Sequence, residues 1–251
     1  MLNLKKVLAF SLVALVAIFI FIVFFFSKNY TKHLSEEETL LNDNRQALDM
    51  NSWVSAKDLR PIDENDFVLG DKKARLDMVI YEDLSDFYSV QFNKTLSLIK
   101  EKFSDKLRIA FRPVVNKSFP GSEEAYLLAR CAGEQNKFFE MRELLLSKVE
   151  NETLSEADFS KYAVDLKLDE VKINSCLSSE KYLPEIEAYS KEAENFGVYG
   201  SPTIFVGSEI VSGARQFQDV VNGSGESLLG METIINKNLE QNNLLSQEKN
   251  K

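Results

Sequence analysis

Asp86 and Ser89 stand three positions apart, where a short β-branched and aromatic run, Met78-Val79-Ile80-Tyr81, gives way to helical spacing. A carboxylate at such a point accepts the unpaired N–H groups of a helix's first turn and suits the dipole there. Carboxylate and hydroxyl can hold hydrogen bonds and move protons, but neither can attack sulfur. Thiol–disulfide exchange needs a thiolate, and the chain's only cysteines are Cys131 and Cys176. They are 45 positions apart and both lie inside helical patterns, with no Cys-x-x-Cys spacing. His33 is the single histidine, so neither a Ser/His or Cys/His catalytic pair nor a transition-metal site can be assembled. No metal and no cofactor are expected.

The elements that position these groups follow from periodicity. Met78 to Tyr81 reads as a buried strand, and Phe87, Val90, Phe92, Leu96 and Ile99 continue as a helix from Asp86 to about Phe103. Leu107 to Arg112 alternates like a strand and Pro113 ends it. Two strands flanking one helix make a βαβ unit. Helical patterns fill residues 122–196: Glu123 to Gln135, Asn136 to Lys148, and a helix opening at Ser155-Glu156-Ala157-Asp158. Ile204-Phe205-Val206 and Glu209-Ile210-Val211, joined through Gly207-Ser208, read as a hairpin. Gln216 to Val221 and Leu228 to Leu239 read as a final helix interrupted by Asn222-Gly223-Ser224-Gly225.

Four stretches resemble the DsbA-like thioredoxin family. Around the turn, Tyr81, Asp83, Tyr88 and Phe92 match its pattern, but the first motif cysteine falls on Asp86, the proline on Phe87 and the second cysteine on Ser89. Ala129-Arg130-Cys131-Ala132-Gly133-Glu134-Gln135-Asn136-Lys137-Phe138-Phe139 and Asn174-Ser175-Cys176-Leu177 are close to the family's usual wording. Gly200-Ser201-Pro202-Thr203-Ile204-Phe205 resembles its proline loop, where the X–Pro bond is cis and faces the motif helix. The resemblance implies an α/β thioredoxin fold with an inserted helical subdomain. It implies a structural disulfide between Cys131 and Cys176, worth roughly 4 kcal/mol on the chain-entropy model. It also implies a polypeptide contact at Ser201, Pro202 and Thr203, by strand addition.

Before this domain, residues 7–26 form a charge-free apolar run of 20 preceded by Lys5 and Lys6. It is long enough to cross a bilayer, and no small-x-small cleavage site follows, so an uncleaved signal anchor is expected. The expected organisation is a short tail at 1–6, the transmembrane anchor at 7–26, a polar stalk at 27–63, the thioredoxin domain at 64–240 with its helical insertion at about 122–196, and a flexible tail at 241–251. Beyond residue 26 there are 28 Lys plus Arg against 39 Asp plus Glu, a net −11. Such a surface argues against nucleic acid and anionic headgroups as partners.

With both motif sulfurs absent, the leading expectation is a redox-inactive pseudoenzyme: a membrane-anchored module facing the periplasm or exterior that binds or scaffolds extracytoplasmic polypeptides, with Asp86, Phe87, Tyr88 and Ser89 as degenerate motif positions. One alternative is a thiol–disulfide oxidoreductase working through Cys131 and Cys176. Another is a glutathione-using enzyme similar to the kappa-class transferases, with Ser85 or Ser89 near the nucleophile position, though Asp86 would repel a developing thiolate.

Overall fold

The computed structural model describes residues 59–116, 121–221, 223, 225 and 227–248. The expected anchor, most of the stalk including His33, and the last three residues lie outside these. Among the described residues no helix is long and apolar enough to cross a membrane.

A five-stranded sheet in the order β1-β3-β2-β4-β5 carries the architecture. β1 is Phe67–Gly70, β2 Leu76–Glu82, β3 Leu107–Pro113, β4 Thr203–Val206 and β5 Glu209–Ser212. β2 and β3 run parallel through the crossover helix α1 (Phe87–Phe103), and every other pairing in the sheet is antiparallel. β2 is apolar from Met78 to Tyr81 because both faces are covered there. Met78 and Ile80 point into the larger core with Phe92, Leu96 and Ile99 of α1, while Val79 and Tyr81 pack on the other face with Phe205, Ala193 and Val198. Leu59 and Ile62 join that second cluster, so the stretch read from sequence as the end of the stalk already packs on the domain.

Between β3 and β4 lies the helical insertion: α2 (Ser122–Gly133), α3 (Phe138–Glu150), a 3-10 turn (Glu156–Asp158), α4 (Phe159–Asp165), α5 (Glu170–Ser178) and α6 (Leu183–Asn195). The helix expected to open at Ser155 begins as this 3-10 turn, and Ser155 makes no side-chain cap.

The carboxy-terminal region departs from the sequence reading. Gln216 to Val221 is not a helix. Val220–Val221 (β6) pairs with Ser227–Leu228 (β7) in a separate two-stranded ribbon, and α7 runs Met231–Glu248. The segment before β6 satisfies the start of α7 instead: Asp219 accepts from Gly230 N at 2.7 Å, and the Gln216 and Phe217 carbonyls accept from Met231 N and Glu232 N. A side chain at Gly230 would collide with the Gln218 carbonyl group, so the close approach requires glycine.

Two buried ion-pair networks brace the sheet. Arg142 of α3 makes a bidentate pair with Glu82 at 2.6 and 2.7 Å, both side chains being buried. Arg112 on β3 bonds Asp66 at 2.9 and 3.0 Å and Glu192 of α6 at 2.7 Å. Burial alone would raise the Asp66 carboxyl, but Arg112 and Arg60 reverse this and hold it below its ordinary range.

Candidate functional site

The end of β2 and the start of α1 meet the proline loop at one corner. Asp86 caps α1, accepting from Tyr88 N at 3.1 Å, which leaves Phe87 and Tyr88 exposed and turns Ser89 inward. The Ser201–Pro202 bond is cis. Ser89 Oγ and Ser201 Oγ are 2.7 Å apart, and Ser201 Oγ also accepts from Asp83 N at 2.8 Å. The Asp83 carboxylate accepts from Ser85 N, Ser85 Oγ and Ser122 Oγ at 2.6–2.8 Å, tying the turn to α2. Thr203 is buried and donates to Gly200 O at 2.8 Å. The degenerate motif positions and the proline loop are thus in direct contact.

Electrostatically the corner is acidic. Burial pushes the Asp86 carboxyl above its ordinary value, and neighbouring Asp83 adds to this, while the Tyr88 amide and the Ser201 hydroxyl offset part of it. Beside it opens a cavity of about 490 Å³, lined among others by Asp86, Tyr88, Ser201, Val114, Val198 and Tyr199. Neither serine suits the transferase alternative. Ser85 spends its hydroxyl on Asp83, and Ser89 is buried against Ser201.

The two sulfurs are elsewhere. Cys131 of α2 and Cys176 of α5 are joined in a disulfide within the insertion, and neither lines the corner cavity. Cys176 is 6 % exposed and Cys131 1 %. Glu134 Oε1 lies 3.6 Å from Cys176 Sγ and 2.6 Å from Lys181 Nζ. Lys181 and Tyr182 hold the Glu134 carboxyl below its ordinary range. No spacing rule announced this Glu134 contact, because it depends on how α2 and α5 cross. No group of three or more His, Cys, Asp or Glu among the described residues could hold a metal ion.

The family model described as Thioredoxin matches residues 63–222, more than half of the chain. The chain belongs to the thioredoxin family. A Rickettsia felis relative, named as a protein-disulfide oxidoreductase, is 25% identical over 194 residues, covering 70% of this chain and 69% of that protein. A Rickettsia conorii protein named in the same way is 29% identical over 118 residues. The chain spans 42% of that relative's length. Among solved structures, BdbD from Bacillus subtilis superposes with a TM-score of 0.60 at 18% identity, covering 75% of this chain and 98% of that one. The alpha-DsbA1 protein of Wolbachia pipientis gives 0.57 at 20% identity, covering 76% of this chain and 98% of that one. These neighbours establish a DsbA-like thioredoxin fold with its helical insertion.

Together these findings overturn the redox-inactive, pseudoenzyme reading of the sequence. That reading took the loss of sulfur at positions 86 and 89 as the loss of all sulfur chemistry. The thioredoxin domain nevertheless carries a formed cysteine pair, and the relatives it resembles are named for disulfide oxidoreduction. The alternative working through Cys131 and Cys176 fits these observations better.

Proposed function

We propose that the chain is a thiol–disulfide oxidoreductase whose exchanging couple is Cys131–Cys176, on a domain anchored through residues 7–26 and facing the periplasm or the exterior. The observation that carries the proposal is the disulfide itself, since it is the only oxidised sulfur pair the chain can form. A substrate thiolate attacks Sγ of Cys176, the more exposed of the two residues; the Sγ–Sγ bond breaks and its electron pair leaves on Cys131 as a thiolate. A second substrate thiol then attacks the mixed disulfide and expels Cys176. The substrate dithiol is oxidised to a disulfide and Cys131/Cys176 is reduced to a dithiol. Another disulfide of higher potential restores the couple.

Polypeptide is held, in this reading, at Ser201, Pro202 and Thr203, next to the open cavity. The test is stoichiometric oxidation of a dithiol peptide by the full-length chain in neutral detergent. Formation of one peptide disulfide per chain, abolished in Cys131→Ser and Cys176→Ser, is expected. A native chain that oxidises no peptide overturns the proposal.

A further inference from the structure

The corner cavity has an unusual balance of charge. Most carboxylates that are partly or fully buried in this domain face a cation: Asp66 and Glu192 face Arg112, Glu82 faces Arg142, and Glu185 faces Arg130. Three carboxylates that line the cavity, buried Asp83, half-buried Asp86 and exposed Glu194, pair with no Lys, Arg or His among the described residues. The cavity's described lining contains no Lys or Arg at all. Its walls combine apolar Val114, Val115, Ala193 and Val198 with polar Asn116, Ser190 and Ser201, and two exposed tyrosines stand at it, Tyr88 at 61 % and Tyr199 at 86 % exposure.

A groove that joins a valine-lined wall to carboxylates and open aromatic faces matches one kind of side chain. Lysine and arginine lay an aliphatic stem along apolar surface while the charged head meets carboxylates or a ring face. About 490 Å³ is the size of an ordinary ligand pocket, large enough for such a side chain and the backbone beside it. The net −11 of the chain beyond its anchor draws basic segments toward the domain. Burial already raises the Asp86 carboxyl, so a cation placed beside it would relieve an unfavourable charge.

We propose that the corner cavity binds a lysine or arginine side chain of an extended polypeptide, with its stem against Val114 and Val198 and its charge facing Asp86 and Glu194. The proposal rests on polypeptide contact at Ser201 to Thr203, and not on exchange at Cys131–Cys176.

Fluorescence anisotropy of the full-length chain in neutral detergent tests it with three labelled peptides differing only in a central lysine, norleucine or glutamate. The lysine peptide is expected to bind on the order of tenfold more tightly than the norleucine peptide and more weakly as salt is added. Asp86→Asn with Glu194→Gln brings the lysine peptide to the norleucine peptide's affinity, and asparagine still caps α1. Should that double variant not fold, Tyr199→Ala at an exposed site serves instead, with a several-fold loss for the lysine peptide alone. Equal binding of the lysine and norleucine peptides overturns the charge recognition and leaves the polypeptide contact standing. Binding of none of the three overturns the contact and this inference with it.

Discussion

Ser89 Oγ lies 2.7 Å from Ser201 Oγ, so the helix start and the proline loop are joined by a bond between two hydroxyls. Ser201 also receives Asp83 N, which makes it the bolt between β2's end and the loop before β4. Ser201→Ala leaves a buried amide and a buried hydroxyl unpaired. A loss of about 1–3 kcal/mol is expected in urea unfolding. An unchanged midpoint would mean that water replaces both bonds freely.

Asp86 and Ser89 occupy the two motif positions one helical turn apart at the start of α1. Asp86→Cys with Ser89→Cys should therefore close a second disulfide, leaving no thiol reactive to Ellman's reagent in the oxidised double variant. Two reactive thiols per chain would show that this turn is shaped differently.

Glu82 and Arg142 form a pair sealed from solvent. Removing one partner strands the other's charge, so Glu82→Gln or Arg142→Met each cost about 3–5 kcal/mol, whereas an apolar double replacement costs much less. Chemical denaturation of the two singles and the double checks this. Additive losses would contradict it.

Two carboxylates give opposite pH signatures. Asp66 is held below its ordinary value of 3.8, so its contribution is present above that value and is lost as pH falls through the lower folded value. Asp86 is held above 3.8, so its folded form takes up a proton first. Through Asp86, falling pH therefore adds stability in the window just above 3.8, before the Asp66 loss sets in. Across this window the urea midpoint of the native chain should gain on that of Asp86→Asn as pH falls. A midpoint difference that stays constant would contradict the assignment.

Much of this arrangement was legible in the sequence. The Asp86 cap, the β2–α1–β3 unit and the β4–β5 hairpin follow from local signals: a carboxylate before an apolar helical face, and alternating strands closed by Gly207. What was not legible depends on distant backbone. Gln216 to Asp219 carry helical spacing, yet their carbonyls and the Asp219 carboxylate cap α7, and glycine at 230 lets the two segments meet. The cavity was hidden for the same reason. It brings the end of β3, the close of α6 and the loop at Tyr199 against the α1 cap, and no single stretch contains that combination.

The most direct test of the central claim is the reactivity of Cys131–Cys176 in the folded chain. Native full-length protein, mixed with a dithiol peptide and quenched with acid at intervals, is analysed by mass spectrometry. Exchange at Cys131–Cys176 predicts a mixed disulfide on Cys176 followed by reduced chain and oxidised peptide in equal amounts. A bridge that stays intact until the domain is unfolded in denaturant would contradict it.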